Sequence, residues 1–293
     1  MDGVIVVDKP QGWTSHDVVG KMRRIAGTRK IGHLGTLDPM ATGVLPLVID
    51  RATRLAQFFV KNDKVYEGTV SFGQATDSYD ADGTAVGAAQ PFVAAPENVG
   101  PLLHAFRGTF LQTPPPVSAK KINGQPAYKL ARKNIDVVLQ PVEVTVHELT
   151  LLGCQGSDAR VRVHCSSGTY LRSIAHELGR AAGVGAHLTA LRRLRSGDFS
   201  IEQSRTIEEL ERLAMENNLS AALVPSSDLL PAFPGEIVDR LTEAQIRLGR
   251  DFRVSPFRID RGERLVKAIS EDGRLIAIGE ARLPSLYHPV VVL

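Results

Sequence analysis

The sequence predicts an α+β protein in which a large domain of mixed strands and helices is followed by a small β-barrel. The first observation is that segments typical of strands and of helices are interspersed up to about residue 224. The second is that short strand-like segments accompany a single helical segment beyond about residue 234. With 293 residues, 43% of them hydrophobic and 23% charged, the chain is long enough for both domains.

Strand and helix signals alternate through the N-terminal part. The apolar run at residues 4–7 predicts a buried strand, and Ser15, His16 and Asp17 predict the cap of the following helix. The next predicted elements are a helix at 53–60, a strand at 65–72, a loop at 86–96, a helix at 98–106, strands at 142–152 and 159–165, and a helix at 170–182. Prolines at 114–116 interrupt this order and precede a basic segment.

A domain boundary is predicted within residues 225–234, where prolines and serines interrupt the periodic pattern. The segments beyond it are a helix at 242–248 and strands at 265–269, 275–281 and 290–293, separated by turn residues. We therefore expect one domain at 1–232 and a second at 233–293.

Cations cluster in three places, although the net charge is only +3. The clusters are Lys21, Arg23, Arg24, Arg29 and Lys30; then Lys120, Lys121, Lys129, Arg132 and Lys133; and finally Arg192, Arg193 and Arg195. Such clusters are commonly a solvated face. Because these three flank the segments with candidate chemistry, they favour a track for a phosphate backbone.

Several classes of protein are disfavoured. No apolar run reaches the length of a membrane span and no basic leader begins the chain, so we expect a cytoplasmic protein. The two cysteines lack a Cys-x-x-Cys spacing and the eight histidines are scattered, which argues against a metal site or a disulfide. Nucleotide-phosphate, dinucleotide and zinc-hydrolase motifs are missing. We expect no metal and no cofactor, and chemistry based on carboxylate, tyrosine, arginine and lysine side chains.

One carboxylate, Asp38, stands out in residues 32–47, which are otherwise almost all apolar, small or turn-forming. The glycines of this run let other backbone come close, and Pro39 restricts Asp38 to an extended conformation. The segment therefore predicts a rigid loop that presents a single acid. If Asp38 is considered alone, an open alternative is that its side chain only accepts a hydrogen bond from nearby backbone in a turn before Pro39.

Further motifs accompany the Asp38 run in a fixed order. They are residues 8–15, 64–68, 72–80, 112–119, 123–124, 131–132 and 167–175, with Lys121 and Tyr128 among them. Over roughly residues 3–195 this set resembles the TruB family, the bacterial synthases that make pseudouridine at position 55 in the tRNA T arm. The resemblance implies a pseudouridine synthase domain with a mixed, mainly antiparallel sheet and flanking helices, followed by a PUA-like RNA-binding domain.

The resemblance implies a catalytic role for three residues. Asp38 would be the catalytic carboxylate, and Tyr66 would pack on the target base, with a part in proton transfer left open. Arg172 would pair with Asp38 and hold it ionised and aimed through a charge-assisted bond. Considered on its own, Tyr66 is also consistent with a tyrosine that packs in the core and makes a hydrogen bond through its hydroxyl.

Four more residues are placed near the substrate by the resemblance. Tyr170 and Leu191 would line the uracil pocket, and His33 would fill the space that the flipped nucleotide leaves. Lys9 would support the floor of the active site. His33 alone is also explained as a buried, hydrogen-bonded side chain. Leu34 stands where the family usually has a small residue, which weakens the case for a polar RNA contact there.

The basic segment at about 114–140 is implied to hold the RNA. Lys121 would brace the active-site loop, and Lys129, Arg132 and Lys133 would contact the T arm. The expected partner is therefore tRNA, with no guide RNA, and the expected state is a monomer.

The predicted reaction breaks the bond between uracil N1 and ribose C1′, turns the base, and rejoins it through C5. A carboxylate suits this reaction as a nucleophile at C1′ or at C6, or by stabilising charge on the sugar. The sequence leaves that choice open. Two alternatives remain: a protein that binds or remodels tRNA without chemistry, and a glycosidase-type hydrolase with Asp77 or Asp80 as the second acid.

Overall fold

The computed structural model describes residues 1–117, 139–255, 259 and 262–293, and the backbone alone at 121–122 and 125–126. The helices are α1 (Ser15–Ile25), α2 (Pro96–His104), α3 (Leu171–Ala181), α4 (Ile207–Met215) and α5 (Arg240–Arg247), with 3₁₀ helices at Asp50–Phe58, Ile201–Gln203 and Leu219–Ala222. None of the helices in these residues has the length and apolar character needed to cross a bilayer.

The strands are β1 (Gly3–Lys9), β2 (Ile31–His33), β3 (Thr42–Ile49), β4 (Lys64–Phe72), β5 (Ala75–Thr76), β6 (Ala85–Val86), β7 (Gly108–Gln112), β8 (Lys121–Ile122), β9 (Gln125–Pro126), β10 (Val142–Gln155), β11 (Asp158–Cys165), β12 (Ala186–Ser196), β13 (Phe199–Ser200), β14 (Leu223–Pro225), β15 (Gly235–Val238), β16 (Phe252–Arg253), β17 (Leu265–Ser270), β18 (Leu275–Leu283) and β19 (Leu286–Val292). Each longer strand predicted from the sequence overlaps one of these. The predicted helix at 53–60 is instead a 3₁₀ helix that begins earlier.

One ten-stranded sheet forms the larger part of the molecule. Its order is β14-β1-β3-β12-β4-β11-β10-β7, with β2 added to β3 and β13 added to β12. The β3–β12 pair is parallel and the other pairs are antiparallel. The predicted mixed, mainly antiparallel sheet with flanking helices is therefore confirmed.

Residues 4–7 of β1 are all apolar because both faces of the sheet are buried at this strand. Side chains alternate along a strand, so Ile5 and Val7 face the core that includes α1. Val4 and Val6 face a second core, to which Ile278 of β18 contributes. The 3₁₀ helix at Asp50–Phe58 also contributes to this second core, through Ala52 and Leu55, so that it and the C-terminal sheet share the burial of this face.

The C-terminal sheet has the order β15-β17-β18-β19-β16. It takes its strands from residues 235–292, whereas the large sheet takes its strands from residues 3–225. This curled sheet is compatible with the predicted PUA-like barrel. The domain limits at 232 and 233 remain a prediction about folding units.

The start of α1 corrects one detail of the sequence interpretation. The capping residue is Thr14, whose hydroxyl accepts a hydrogen bond from the Asp17 N–H, while Asp17 accepts one from the Thr14 N–H. Ser15 was expected to cap the helix, but it is buried and bonds to Leu37 instead. Its hydroxyl is therefore used to hold the Asp38 loop.

Candidate active site

A cavity of about 380 Å³ opens beside the loop between β2 and β3. Its wall contains the three predicted catalytic residues, Asp38, Tyr66 and Arg172. It also contains Tyr170 and Leu191, which were predicted to line the uracil pocket. The fold thus brings these five residues to one place, although they come from distant parts of the chain.

The loop that carries Asp38 is fixed by hydrogen bonds from neighbouring backbone and from α1. The Ser15 hydroxyl accepts a hydrogen bond from the Leu37 N–H at 2.8 Å and donates one to the Leu37 carbonyl at 3.1 Å. The Gly12 N–H donates to the Pro39 carbonyl at 2.8 Å. With residues on both sides tied down, Asp38 has little freedom to move away from the cavity.

Lys9 lies beneath this loop and does not line the cavity. Its ammonium donates to the carbonyls of Pro10 at 2.9 Å, Trp13 at 2.6 Å and Pro39 at 3.2 Å. The side chain is fully buried, and this burial lowers the pKa of Lys9 to about 8. The contacts fit the predicted role of a support for the floor of the site.

The buried ammonium makes stability depend on pH in a defined direction. Because the pKa of Lys9 is about 8 in the folded protein against an ordinary value of 10.5, the unfolded chain binds more protons between these values. The free energy of unfolding should therefore rise with pH across this window, by up to about 3 kcal/mol from this group. Lys9→Met should remove that rise, and the exposed control Lys61→Met should keep it. Urea unfolding from pH 7.5 to 10 measures the difference, and parallel curves for Lys9→Met and wild type would refute it.

Arg172 lies in the first turn of α3 between two carboxylates. Its Nε is 2.9 Å from Asp38 Oδ2 and its Nη1 is 3.3 Å from Asp80 Oδ2. Nη1 also donates to the Ser78 carbonyl at 3.1 Å, and the guanidinium is buried. The contact with Asp38 is an ion pair without the alignment of a linear hydrogen bond. A single buried cation is thus shared by the acid of the cavity and a second acid behind it.

Two opposing effects act on the Asp38 carboxyl. Burial raises the pKa of Asp38 above its usual value, and the nearby Arg172 works against that rise. Asp80 adds a smaller upward effect on the same pKa. The outcome is a raised pKa, so the arginine limits the effect of burial without cancelling it.

The two acids proposed for a hydrolase do not line the cavity. Asp80 is buried, and its Oδ1 accepts hydrogen bonds from the Ser78 hydroxyl and the Asp82 N–H. Asp77 accepts a hydrogen bond from the Thr84 N–H at 2.8 Å. Both carboxylates hold local backbone, so the geometry gives no support to a second acid facing Asp38 across a substrate.

Tyr66 lies on β4 opposite Arg193 of β12. Arg193 is almost wholly buried and donates to the carbonyls of Val44 at 2.7 Å and Gly35 at 3.1 Å. Burial raises the pKa of Tyr66, and Arg193 opposes this effect. The expectation that Arg193 belongs to a surface track of cations is wrong: alternation along β12 places it beside Leu191 in the cavity wall.

Two further contacts shape the wall. The buried Gln112 holds the backbone of Tyr170 from both sides, donating to its carbonyl at 3.1 Å and accepting from its N–H at 2.8 Å. Lys64 lines the wall, and burial lowers its pKa. Its ammonium donates to the Asn62 carbonyl. None of these roles was foreseen from the sequence.

His33 lies outside the wall of this cavity, and most of the basic segment lies outside the described residues. His33 lies half-buried on β2, outside the wall, and its Nδ1 has no hydrogen-bond partner among the described residues. Burial lowers the pKa of His33. Only the backbone of Lys121 is described, and Lys129, Arg132 and Lys133 lie outside the described residues. Their predicted contacts with RNA remain predictions.

The fold has close counterparts among solved structures. A chain from the crystal structure of a Cbf5–Nop10–Gar1 complex matches with a TM-score of 0.71 and 28% identity, over 97% of this chain and 79% of that chain. A chain from the structure of an H/ACA RNP bound to a substrate RNA containing 2′-deoxyuridine matches with a TM-score of 0.72 and 26% identity, over 99% and 84%. The fold is that of the pseudouridine synthases.

Sequence comparison identifies the family of pseudouridine synthases to which the chain belongs. The family model for the N-terminal domain of TruB family pseudouridylate synthases matches residues 23–171, and that for the tRNA pseudouridylate synthase B C-terminal domain matches residues 172–230. A protein of Solibacter usitatus named tRNA pseudouridine synthase B is 60% identical over the full length of both chains, and one of that name from Aquifex aeolicus is 40% identical over 96% of each. The chain belongs to the TruB family, and is an enzyme that isomerises uridine to pseudouridine.

Proposed function

We propose that this chain converts the uridine at position 55 in the T arm of tRNA to pseudouridine, with Asp38 as the catalytic carboxylate. The observation that carries the proposal is the carboxylate of Asp38 in the cavity wall, 2.9 Å from the Arg172 guanidinium and on the same cavity as Tyr66. The name shared by the relatives, tRNA pseudouridine synthase B, supports tRNA as the substrate.

The substrate base must leave its stack to reach this cavity. The atoms N1, C1′ and C5 of a stacked uridine are covered by neighbouring bases, so the nucleotide has to flip outward. The volume of about 380 Å³ falls in the range of small-molecule pockets and suits one nucleotide. Tyr66, Tyr170 and Leu191 provide the flat and apolar surfaces on which uracil would pack.

Asp38 would act on the glycosidic bond in its ionised form. It attacks C1′ or C6, or stabilises charge on the sugar, while the N1–C1′ bond breaks. The uracil then turns within the cavity and C5 bonds to C1′, while any bond from Asp38 to C1′ or C6 breaks and frees the carboxylate. C5 loses its proton and N1, now detached from the sugar, gains one, so that the product is an isomer of the substrate. Because burial raises the pKa of Asp38, the cation of Arg172 is needed to keep enough carboxylate ionised at neutral pH. Burial raises the pKa of Tyr66, so its hydroxyl is protonated at neutral pH before the reaction begins.

A short RNA tests this proposal directly. We expect the purified chain to form pseudouridine in an isolated T-arm stem-loop without any guide RNA, because single-stranded loops are where RNA sequence is normally read. A matched stem-loop with cytidine at position 55 should remain unmodified at its other uridines. Nucleotide-resolution mapping of the product gives the answer, and modification at other uridines or release of free uracil would refute the proposal.

Domain organisation and assembly follow the same proposal. Residues 1–232 would form the catalytic domain, and residues 233–293 a PUA-like domain that contacts RNA outside the T arm. The proposal also includes activity as a monomer. Removing the C-terminal domain is a poor test of its role, because Ile278 shares a core with Val4 and Val6 of β1.

The basic segment should bind RNA mainly through phosphates. Neutralising Lys129, Arg132 and Lys133 together should flatten the slope of log affinity against log salt by roughly two, because each phosphate contact contributes somewhat under one unit. The exposed Arg212 on α4 lies outside the three cation clusters, so Arg212→Gln serves as the control and should leave the slope unchanged. Filter binding of tRNA at several salt concentrations measures both, and an unaltered slope in the triple variant would contradict the assignment.

A further inference from the structure

Three potential metal ligands meet at the surface, outside the wall of the cavity. The Nε2 atom of His147 is 3.1 Å from Asp63 Oδ2, and that of His164 is 3.6 Å from the same oxygen. The ligand atoms of all three residues lie within 4.8 Å of one another. Among the described residues, this is the group of histidine, cysteine and acidic side chains whose spacing suits a metal ion.

The sheet explains why residues so far apart in sequence come together. His147 is on β10, His164 is on the adjacent β11, and Asp63 directly precedes β4, which pairs with β11. The β10–β11 register shifts between Val146 and Glu148, so His147 is the additional residue of a β-bulge. A bulge re-aims a side chain, and here it brings the His147 ring to 4.7 Å from the His164 ring, between centroids.

The two distances to Asp63 are compatible with a metal ion shared by the three side chains. With ligands at about 2.0–2.1 Å from a tetrahedral ion, donor atoms lie about 3.3 Å apart, between the two observed distances to Asp63. The His164 Nε2 atom is buried and has no hydrogen-bond partner among the described residues. A bound ion would give that nitrogen a partner, and the Asp63 oxygen that lies near both rings would be a third ligand.

We propose that Asp63, His147 and His164 bind a divalent transition-metal ion of the zinc class. Two imidazoles and one carboxylate favour such an ion over magnesium or calcium, which prefer oxygen ligands. The ion would join β10 and β11 to the start of β4 and would leave at least one coordination position for water. Because Asp63 adjoins Lys64 of the cavity wall, this clamp would also hold one side of the active site in place.

Zinc binding to the chelator-treated full-length protein tests the proposal. Isothermal titration should give one zinc ion per chain, and His147→Gln and His164→Gln should each weaken binding by at least about tenfold. The control is His104→Gln, an exposed histidine on α2, which should bind zinc as the wild type does. At free zinc about one hundred times Kd, the unfolding equilibrium constant should fall about a hundredfold in wild type and far less in the two variants.

A second measurement needs no variant and so does not depend on how well the variants fold. Long-range ¹⁵N NMR of the wild-type histidines should show the Nε2 resonances of His147 and His164 shifting together at one equivalent of zinc, with His104 unmoved. Failure of zinc to bind with one-to-one stoichiometry would overturn the proposal, as would equal binding by wild type and both variants. Shifts confined to other histidines would also overturn it.

Discussion

Asp38→Asn should abolish pseudouridine formation, lowering the single-turnover rate by at least about a thousandfold, the scale seen when a group essential to the chemistry is removed. The amide keeps nearly the same shape but cannot act as a nucleophile or as an anion beside the sugar. Affinity for tRNA should stay within about threefold of wild type, since binding does not use the charge that the transition state needs. This variant should therefore bind tRNA almost as the wild type does but fail to form pseudouridine.

The matched control for this experiment is Asp82→Asn, which removes an exposed carboxylate of the same kind outside the cavity wall. It should retain the wild-type rate. Product mapping in T-arm RNA gives the rates, and filter binding gives the affinities. Pseudouridine formation by Asp38→Asn at more than roughly one per cent of the wild-type rate would remove Asp38 from the mechanism and would favour a role in binding alone.

Arg172→Ala should produce the second largest effect, a loss of roughly a hundredfold in kcat at neutral pH. The substitution leaves Asp38 and Asp80 without their shared cation, and the pKa of Asp38, already raised by burial, should rise further. Ionised Asp38 then appears only at higher pH, so the acidic limb of the activity profile should move upward in pH. Loss of a buried partner should also cost stability, about 3 kcal/mol in the free energy of unfolding.

The conservative variant separates a role in positioning from a role in folding. Arg172→Lys keeps the positive charge but cannot contact Asp38 and Asp80 together as the guanidinium does. It should restore the acidic limb toward that of wild type while remaining slower. The measurements are kcat against pH and urea unfolding for both variants. A pH profile that is the same in wild type and Arg172→Ala would refute the pairing as the control of Asp38 ionisation.

The parts of the site that could be predicted are those with a strong local signal. Asp38 is conspicuous because it is the one acid in an apolar, glycine-containing run that Pro39 rigidifies. The helix that begins after Tyr170 shows its periodicity in the sequence, and it carries Arg172 into the cavity. Four of the ten strands of the large sheet, β1, β4, β10 and β11, were also predicted, because their alternating or continuous apolar residues indicate burial on one face or on both.

Other features depend on tertiary contacts that no local pattern contains. Arg193 belongs to a run of cations, and only the pairing of β12 with β4 shows that it is buried beside Tyr66. Gln112 holds the backbone of Tyr170 across the chain, which its neighbours in sequence do not indicate. The grouping of His147 with His164 depends on a β-bulge, and a bulge changes side-chain direction without a distinct sequence signature.

The most direct test of the account is to map pseudouridine in total tRNA from cells with and without this protein. We predict that position 55 in the T arm carries pseudouridine in cells that contain the protein and unmodified uridine in cells that lack it. Wild-type protein should restore the modification, and Asp38→Asn should not. Position 55 fully modified in the absence of this protein would contradict the account, as would restoration by Asp38→Asn.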